Sequence, residues 1–175
     1  SHVNFDFNTL PISALTNSSA KNPYVDLIIS FDGTRVINGA PGSAVHASVT
    51  KRVKVNSKLD LVARAVYSTG AFQNTGPLPP KANIQTTYTV LWSVVNTSND
   101  LDNLTVTAVL PSHSRFMGNI SPSDANIKYD STRGVVTWNV GRLPAGLSGA
   151  PGKEVAFQIA LLPSLTQVGQ TLPLV

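Results

Sequence analysis

Five oxygen-bearing side chains lie close together between two apolar stretches of the sequence. They are Asn96, Asn99, Asp100, Asp102 and Asn103. Calcium prefers carboxylate and amide oxygens, so these residues are candidate calcium ligands. Their spacing does not match an EF-hand loop, and Asn, Asp and Ser also bond their own backbone in short turns. We therefore predict a connection between two strands without bound metal, and keep calcium on Asn96, Asn99, Asp100 and Asp102 as the alternative.

Catalytic chemistry has little support in the sequence. Of the three histidines, His46 lies in a predicted strand, His113 follows a Leu-Pro-Ser turn, and His2 belongs to a start typical of a cloning remnant. No G-x-S-x-G element marks a nucleophile, and no motif pairs two carboxylates for glycoside chemistry. Cysteine is absent, which excludes disulfides and thiolate chemistry together. We therefore predict no catalytic residue, no cofactor and no enzyme.

The elements that would position these residues are predicted to be strands, because apolar residues alternate and helical periodicity is missing. The predicted inward sets are Tyr88, Val90, Trp92 and Val94; Leu104, Val106, Ala108 and Leu110; Val136, Trp138 and Val140; and Val155, Phe157, Ile159 and Leu161. Earlier strands are predicted over Tyr24–Phe31, Ala44–Val55 and Leu59–Tyr67, with turns at Asp32-Gly33, Asn38-Gly39 and Pro41-Gly42. The turn sequence Asp130–Gly134 predicts a hairpin that joins Ile127–Tyr129 to the strand through Trp138.

Short strands joined by Gly/Pro turns predict an all-β fold, an Ig-like antiparallel β-sandwich. Residues 57–163 have the size of one such domain. Residues 3–56 carry too few strands to cover both faces of a core, so we predict a smaller or partial β domain there, alone or completed by residues 165–175. Within residues 57–163, Ser68–Gln85 follows the predicted strand Leu59–Tyr67, is rich in Gly, Pro and Asn, and is predicted to run over the surface.

Composition narrows the class of protein further. The chain has 175 residues, of which 42% are hydrophobic and 13% charged, with a formal charge of +4. The one basic cluster, Lys51, Arg52 and Lys54, alternates through a predicted strand, so a solvated face is favoured over nucleic-acid binding. No apolar run reaches the roughly twenty residues of a membrane helix. We interpret the chain as a piece of a longer protein.

Several short motifs in a fixed order carry a resemblance to a known family. They are Thr87–Val90, Val95–Asn99, Asn103–Val106, Leu110-Pro111, Tyr129–Thr132, Val136–Gly141 and Val155–Phe157. Together they resemble the conserved Ig-like repeat, a domain of unknown function, of large bacterial and archaeal cell-surface proteins. The match runs from about Gln85 to Leu162.

The resemblance implies an extracellular, non-catalytic module in a tandem array, used as a stalk, a spacer or an adhesion domain. Its expected partners are neighbouring domains of the same chain. Some surface Ig-like modules also carry a Lys–Asn isopeptide bond, for which Lys58 and Lys153 are the conceivable donors here, although Lys at strand ends is usually solvated.

We therefore expect a structural module of a prokaryotic cell-surface protein. The alternative is a glycan- or protein-binding module that uses exposed loops, either Ser68–Gln85 or Leu143–Gly152. Phe72 and Leu78 are the candidate binding residues of the first loop. Trp92 and Trp138 lie on the inward parity of their strands, so we predict that they pack in the core and form no sugar-stacking platform.

Overall fold

The computed structural model describes residues 22–97, 99–146 and 152–175. Three sequence predictions extend outside these residues: the first domain over 3–21, the loop position Ser98, and residues 147–151 of the Leu143–Gly152 loop. The described residues form antiparallel strands and a single 3-10 turn at Leu165–Gln167, with no α-helix, which confirms the all-β prediction. The strands are β1 (Tyr24–Ile37), β2 (Ala40–Lys54), β3 (Leu59–Val66), β4 (Thr86–Asn96), β5 (Leu101–Val109), β6 (Ser114–Ser121), β7 (Ile127–Asp130), β8 (Val135–Leu143) and β9 (Lys153–Leu161). Among the described residues, no helix is both long and apolar enough to cross a bilayer.

Strands β3 to β9 form a sandwich of two sheets, with orders β3-β4-β9-β6 and β5-β8-β7. An Ig constant domain also divides seven strands into four and three, with its fifth strand between the second and fourth. Here the seventh strand of the sandwich, β9, takes that place, while the fifth strand, β7, pairs with β8 across the predicted Asp130–Gly134 turn. The predicted hairpin is therefore confirmed.

The core lies between the two sheets and contains the residues predicted from alternation. Both sheets contribute to it, and its buried members are Val90, Trp92, Val94, Val106, Leu110, Val136, Trp138, Val140, Leu143, Val155, Phe157 and Ile159. The Trp92 and Phe157 rings meet edge to face at 4.8 Å between centroids. The prediction that both tryptophans pack inside is confirmed.

The chain enters and leaves the sandwich at opposite ends. Leu59, the first residue of β3, pairs with Asn96 at the end of β4, whereas Leu161, the last residue of β9, pairs with Thr86 at its start. Since β4 has eleven residues, these two ends lie about 34 Å apart along the strand. We refer to them as the Asn96 end and the Thr86 end.

Strands β1 and β2 form a separate two-stranded hairpin beyond the Asn96 end. Its turn is Asn38-Gly39, as predicted, and both residues have positive φ (49° and 81°), which suits the right-handed twist of a hairpin. The predicted turn at Asp32-Gly33 is wrong, because both residues stay in register with β2. The predicted turn at Pro41-Gly42 is also wrong; it lies within β2, opposite a register shift between Thr34 and Val36.

Two strands of the larger sheet depart from the sequence analysis. The sequence analysis predicts no strand over Ser114–Ser121, yet this segment forms β6. Gly118, with φ of 83°, lies within a register shift between Phe116 and Ile120. In β3, which is predicted as a strand, the apolar residues Leu59 and Leu61 are exposed. This follows from β3 being the edge strand of a four-stranded sheet that faces only three strands.

The segment after β9 stays at the Thr86 end. The Leu162 amide donates to the His113 carbonyl at 2.8 Å, and His113 Nε2 lies 2.8 Å from the Pro173 carbonyl. Leu174 packs against the core. The described contacts of residues 165–175 are thus with the sandwich.

Candidate functional site

The loop of oxygen-bearing side chains lies at the Asn96 end and joins the two sheets. Asn96 is buried at the end of β4, and its Nδ2 donates to the carbonyls of Asn99, Leu143 and Pro144. These bonds connect β4 to the segment that follows β8. Asn96 therefore closes this end of the core through hydrogen bonds from its side-chain amide to backbone carbonyls.

The next residues fasten the hairpin to the same place. Asn99 Nδ2 donates to the Val55 carbonyl, and the Asp100 amide donates to Asn22 Oδ1 at 2.9 Å. The Asp100 carboxylate accepts from Arg142 Nη2 at 2.6 Å and from the Ala145 amide at 2.7 Å. Hydrogen bonding to this carboxylate raises the pKa of the Arg142 guanidinium, so the Arg142 side chain stays charged at any ordinary pH. We call these residues, Asn96, Asn99, Asp100 and Arg142, the joint.

One observation favours cation binding at the joint, and several oppose it. The Oδ1 atoms of Asn96 and Asn99 are buried without a hydrogen-bond partner, which is what a bound cation would satisfy. However, both oxygens of Asp100 already have partners, one of them a guanidinium whose charge repels a cation. Asp102 lies further out, with its Oδ1 3.9 Å from Arg142 Nε. Asn103 is an exposed residue of β5 in the left-handed region, with φ of 56°, and no group of three or more acidic or histidine side chains suited to a metal occurs in the described residues.

The Ser68–Gln85 segment covers part of the outer face of the larger sheet. Asn74 donates to the Tyr67 carbonyl and to Thr89 Oγ1, both at 3.0 Å, and its Oδ1 accepts from Gln158 at 3.0 Å. Gln158 in turn accepts from Asn119 at 2.7 Å. This partly buried polar network holds the loop on β4 and β9, so β9 is covered on its outer face as well as its inner one. Nothing in the sequence marks Asn74, an ordinary Asn among Gly and Pro residues.

The two candidate binding residues of this loop differ in exposure. Phe72 is half-buried, whereas Leu78 is 58% exposed. They therefore do not form one exposed apolar patch of two full side chains.

An open groove of about 440 Å³ lies on the same outer face of the larger sheet, beside the area that the Ser68–Gln85 segment covers. Gly70, Leu91 and Ala156 are among the residues that line it. Arg64 and Glu154 also line it, and neither forms an ion pair with another described residue. The groove is a shallow surface with one charge of each sign.

Potential catalytic and cross-linking residues are scattered. His46 is on the hairpin, 2.5 Å from Asp32, while His113 is at the Thr86 end of the sandwich. Lys58 Nζ lies 3.0 Å from Asp60, and Lys153 Nζ donates to the Val140 carbonyl at 2.8 Å. The described geometry thus assembles no triad and gives each candidate lysine a non-covalent partner.

Comparisons with known proteins add no relative: no protein-family model, no curated protein and no solved structure matches this chain.

Proposed function

We propose that the chain is a non-catalytic spacer module of a prokaryotic cell-surface protein that transmits tension along its length. The observation that carries this proposal is the position of the two connections, with Leu59 at the Asn96 end and Leu161 at the Thr86 end. A module that is entered at one end and left at the other extends an array by its full length. The absence of any assembled catalytic group in the described residues is compatible with this role.

The strand directions support a load-bearing role. Both β3 and β9 are antiparallel to β4, so tension applied at the two ends slides them past β4 in opposite directions. The hydrogen bonds between antiparallel strands run perpendicular to the strands, and sliding loads all of them together. Pulling on two strands from the same end would break the bonds one after another. The pairing therefore favours resistance to force along the long axis.

The joint and the tail support the same role from outside the sheet. At the Asn96 end, Asn99 and Asp100 hold the residues that precede β3, and at the Thr86 end His113 holds the tail through Pro173. Force that arrives through the chain meets these contacts before it reaches the first and last strands. Both connections are thus fastened to the sandwich and do not hang from single strands.

Single-molecule pulling tests the proposal. Because the chain has no cysteine, two introduced cysteines are its only attachment points. Cysteine handles in the double variant Lys58→Cys and Leu162→Cys pull along the long axis. The matched control is Lys58→Cys with Thr97→Cys, since the Lys58 amide lies 3.0 Å from Thr97 Oγ1 and these handles peel β3 from one end. We expect a clearly higher unfolding force for the first pair. Equal forces, or a lower force along the long axis, would contradict a load-bearing role.

A second candidate function, an adhesion module, is favoured by the groove on the outer face. A ligand with an apolar body and both an acidic and a basic group would suit Leu91, Arg64 and Glu154. Titration of oligosaccharide and peptide libraries tests it. A ligand that binds both Arg64→Gln and Glu154→Gln more weakly than the wild-type protein would support adhesion through this groove. A ligand that binds both variants with unchanged affinity would exclude the groove as its site.

A further inference from the structure

The tip of the β1–β2 hairpin combines a reactive sequence with an open position in the fold. Asn38 is the only asparagine in the sequence that is followed by glycine. The structure places Asn38 and Gly39 in the turn between the last paired residues of the hairpin, Ile37 and Ala40. Both turn residues are exposed to solvent.

An asparagine side chain reacts with the backbone nitrogen of the next residue when the two can meet. The nitrogen loses its proton and attacks Cγ, the new N–Cγ bond closes a succinimide ring, and the Cγ–Nδ2 bond breaks with release of ammonia. Water then opens the ring at either of its carbonyls and leaves aspartate or isoaspartate. Water is the only co-reactant. A following glycine favours the attack most, because it has no side chain to crowd the nitrogen.

The geometry of the turn leaves the attacking nitrogen accessible. Apart from the immediate chain neighbours, no heavy atom of the described residues lies within 4 Å of the space that a Cβ on Gly39 would occupy. The strand pairing ends at Ile37 and Ala40, so the Gly39 nitrogen lies outside the ladder. Water and base therefore reach this nitrogen, and no strand partner holds it.

The hairpin also opens at low cost, which ring closure requires. Asn38 and Gly39 have φ of 49° and 81°, as in a type I′ turn. The peptide between them must rotate out of this turn before its nitrogen faces Cγ. An isolated two-stranded hairpin is marginal in water, and every residue of β1 and β2 except Gly33 is exposed among the described residues. Local opening is therefore far easier here than within the packed sandwich.

We propose that Asn38 is a site of spontaneous deamidation, at which water converts the hairpin turn into aspartate and isoaspartate forms. The aspartate form keeps the turn, because Asp-Gly also suits a type I′ turn. The isoaspartate form routes the main chain through the side-chain carbons, which lengthens the turn and disturbs the Ile37–Ala40 pair. Both forms add a negative charge to the tip. The inference is independent of the load-bearing role, since the pulling handles at Lys58 and Leu162 lie outside the hairpin.

Incubation of the full chain at mildly alkaline pH, followed by peptide mass spectrometry, measures amide loss at each asparagine. Asn83 and Asn103 are matched internal controls: both are exposed and have positive φ, 59° and 56°, but they precede isoleucine and leucine. We expect Asn38 to lose its amide at least about tenfold faster than either control, because of the missing side chain and the easier opening. Equal rates at the three positions would overturn the proposal.

Two variants separate the chemistry of the turn from its fold. Gly39→Asn keeps a residue that tolerates positive φ but adds a Cβ beside the attacking nitrogen, so amide loss at Asn38 should fall toward the rate of the controls. Freshly prepared Asn38→Asp supplies the aspartate product directly, and its NMR spectrum should retain the Ile37–Ala40 pairing. Aged wild-type protein should show an additional set of signals, confined to the hairpin, from the isoaspartate form. Undiminished loss in Gly39→Asn, or an aged protein with unchanged hairpin signals, would contradict the assignment.

Discussion

The β1–β2 hairpin and the sandwich are built from the same kind of strand, with β-branched and aromatic residues at every second position. Phe157 in β9 is completely buried, whereas Phe31 in β1 is 65% exposed. The difference lies in what covers each strand. β9 has the smaller sheet on one face and the Ser68–Gln85 segment on the other, while β1 has neither.

The comparison separates strand formation from burial. Alternation and turn chemistry are enough to pair β1 with β2 over thirteen positions. Burial requires a second layer, and only distant parts of the chain or another molecule can supply it. The predictions below test this difference, beginning with the largest expected effect.

The first prediction compares two phenylalanines. Phe157→Ala should lower the free energy of unfolding by about 3–5 kcal/mol, because it leaves a cavity against Trp92 in a closed core. Phe31→Ala should change the unfolding of the sandwich by about 0.5 kcal/mol or less, as at other exposed positions. Urea unfolding followed by tryptophan fluorescence measures both, since Trp92 and Trp138 lie in the core. Similar losses in the two variants would show that the hairpin and the sandwich unfold as one unit.

The second prediction concerns the outer cover of the sandwich. Asn74→Ala should cost about 1–3 kcal/mol, because it removes the partner of Thr89 Oγ1 and of one Gln158 N–H in a partly buried network, the other Gln158 N–H remaining on the Gln73 carbonyl. The matched control is Gln73→Ala, since Gln73 offers its carbonyl, not its side chain, to Gln158. Hydrogen exchange should also speed up within residues 68–76 in the Asn74 variant. No difference between the two variants would mean that the loop is held by its backbone alone.

What the sequence predicts well is local. The inward parity of Val90, Trp92 and Val94 follows from a period of two, and the Asn38-Gly39 turn follows from the left-handed φ that Asn and Gly tolerate. Strand order is not local. β9 lies between β4 and β6 because of pairings between residues far apart in the chain, such as Tyr88 with Ile159, and no short pattern carries that information.

The missed features have the same origin. β6 was overlooked because Gly118-Asn119 interrupts its alternation, and a bulge accommodates the interruption only once β9 is in place to pair with it. Asn74 holds the outer loop through partners on β4 and β9, which the sequence leaves dozens of positions apart. Among the loop oxygens, alternation could locate Asn96 at a strand end but could not indicate that Asp100 meets Arg142.

The third prediction is a small pH effect confined to the hairpin. Hydrogen bonds from Arg52 lower the pKa of Asp26 below its usual 3.8. A lowered carboxyl pKa contributes stability that is present above the usual value and is lost as the pH falls through the lowered one. NMR titration should therefore give a midpoint for Asp26 below 3.8, with β1 and β2 amides shifting together below it. Arg52→Met should return the midpoint toward the usual value, and an unchanged midpoint in this variant would contradict the assignment to Arg52.

The fourth prediction concerns the joint, where the hairpin meets the sandwich. We expect calcium to cause no change in melting temperature. Calcium added to chelator-treated protein should leave the melting temperature unchanged, because the Asp100 carboxylate is already bonded to Arg142 and to the Ala145 amide. A ligand that binds the folded state raises the melting temperature by mass action, so millimolar calcium would reveal even a weak site. The comparison variant is Arg142→Gln, which removes the competing guanidinium. A shift in the wild-type protein that disappears in Asn96→Ala would instead assign a cation to the unpartnered amide oxygens of Asn96 and Asn99, and the joint would then owe its stability to bound metal.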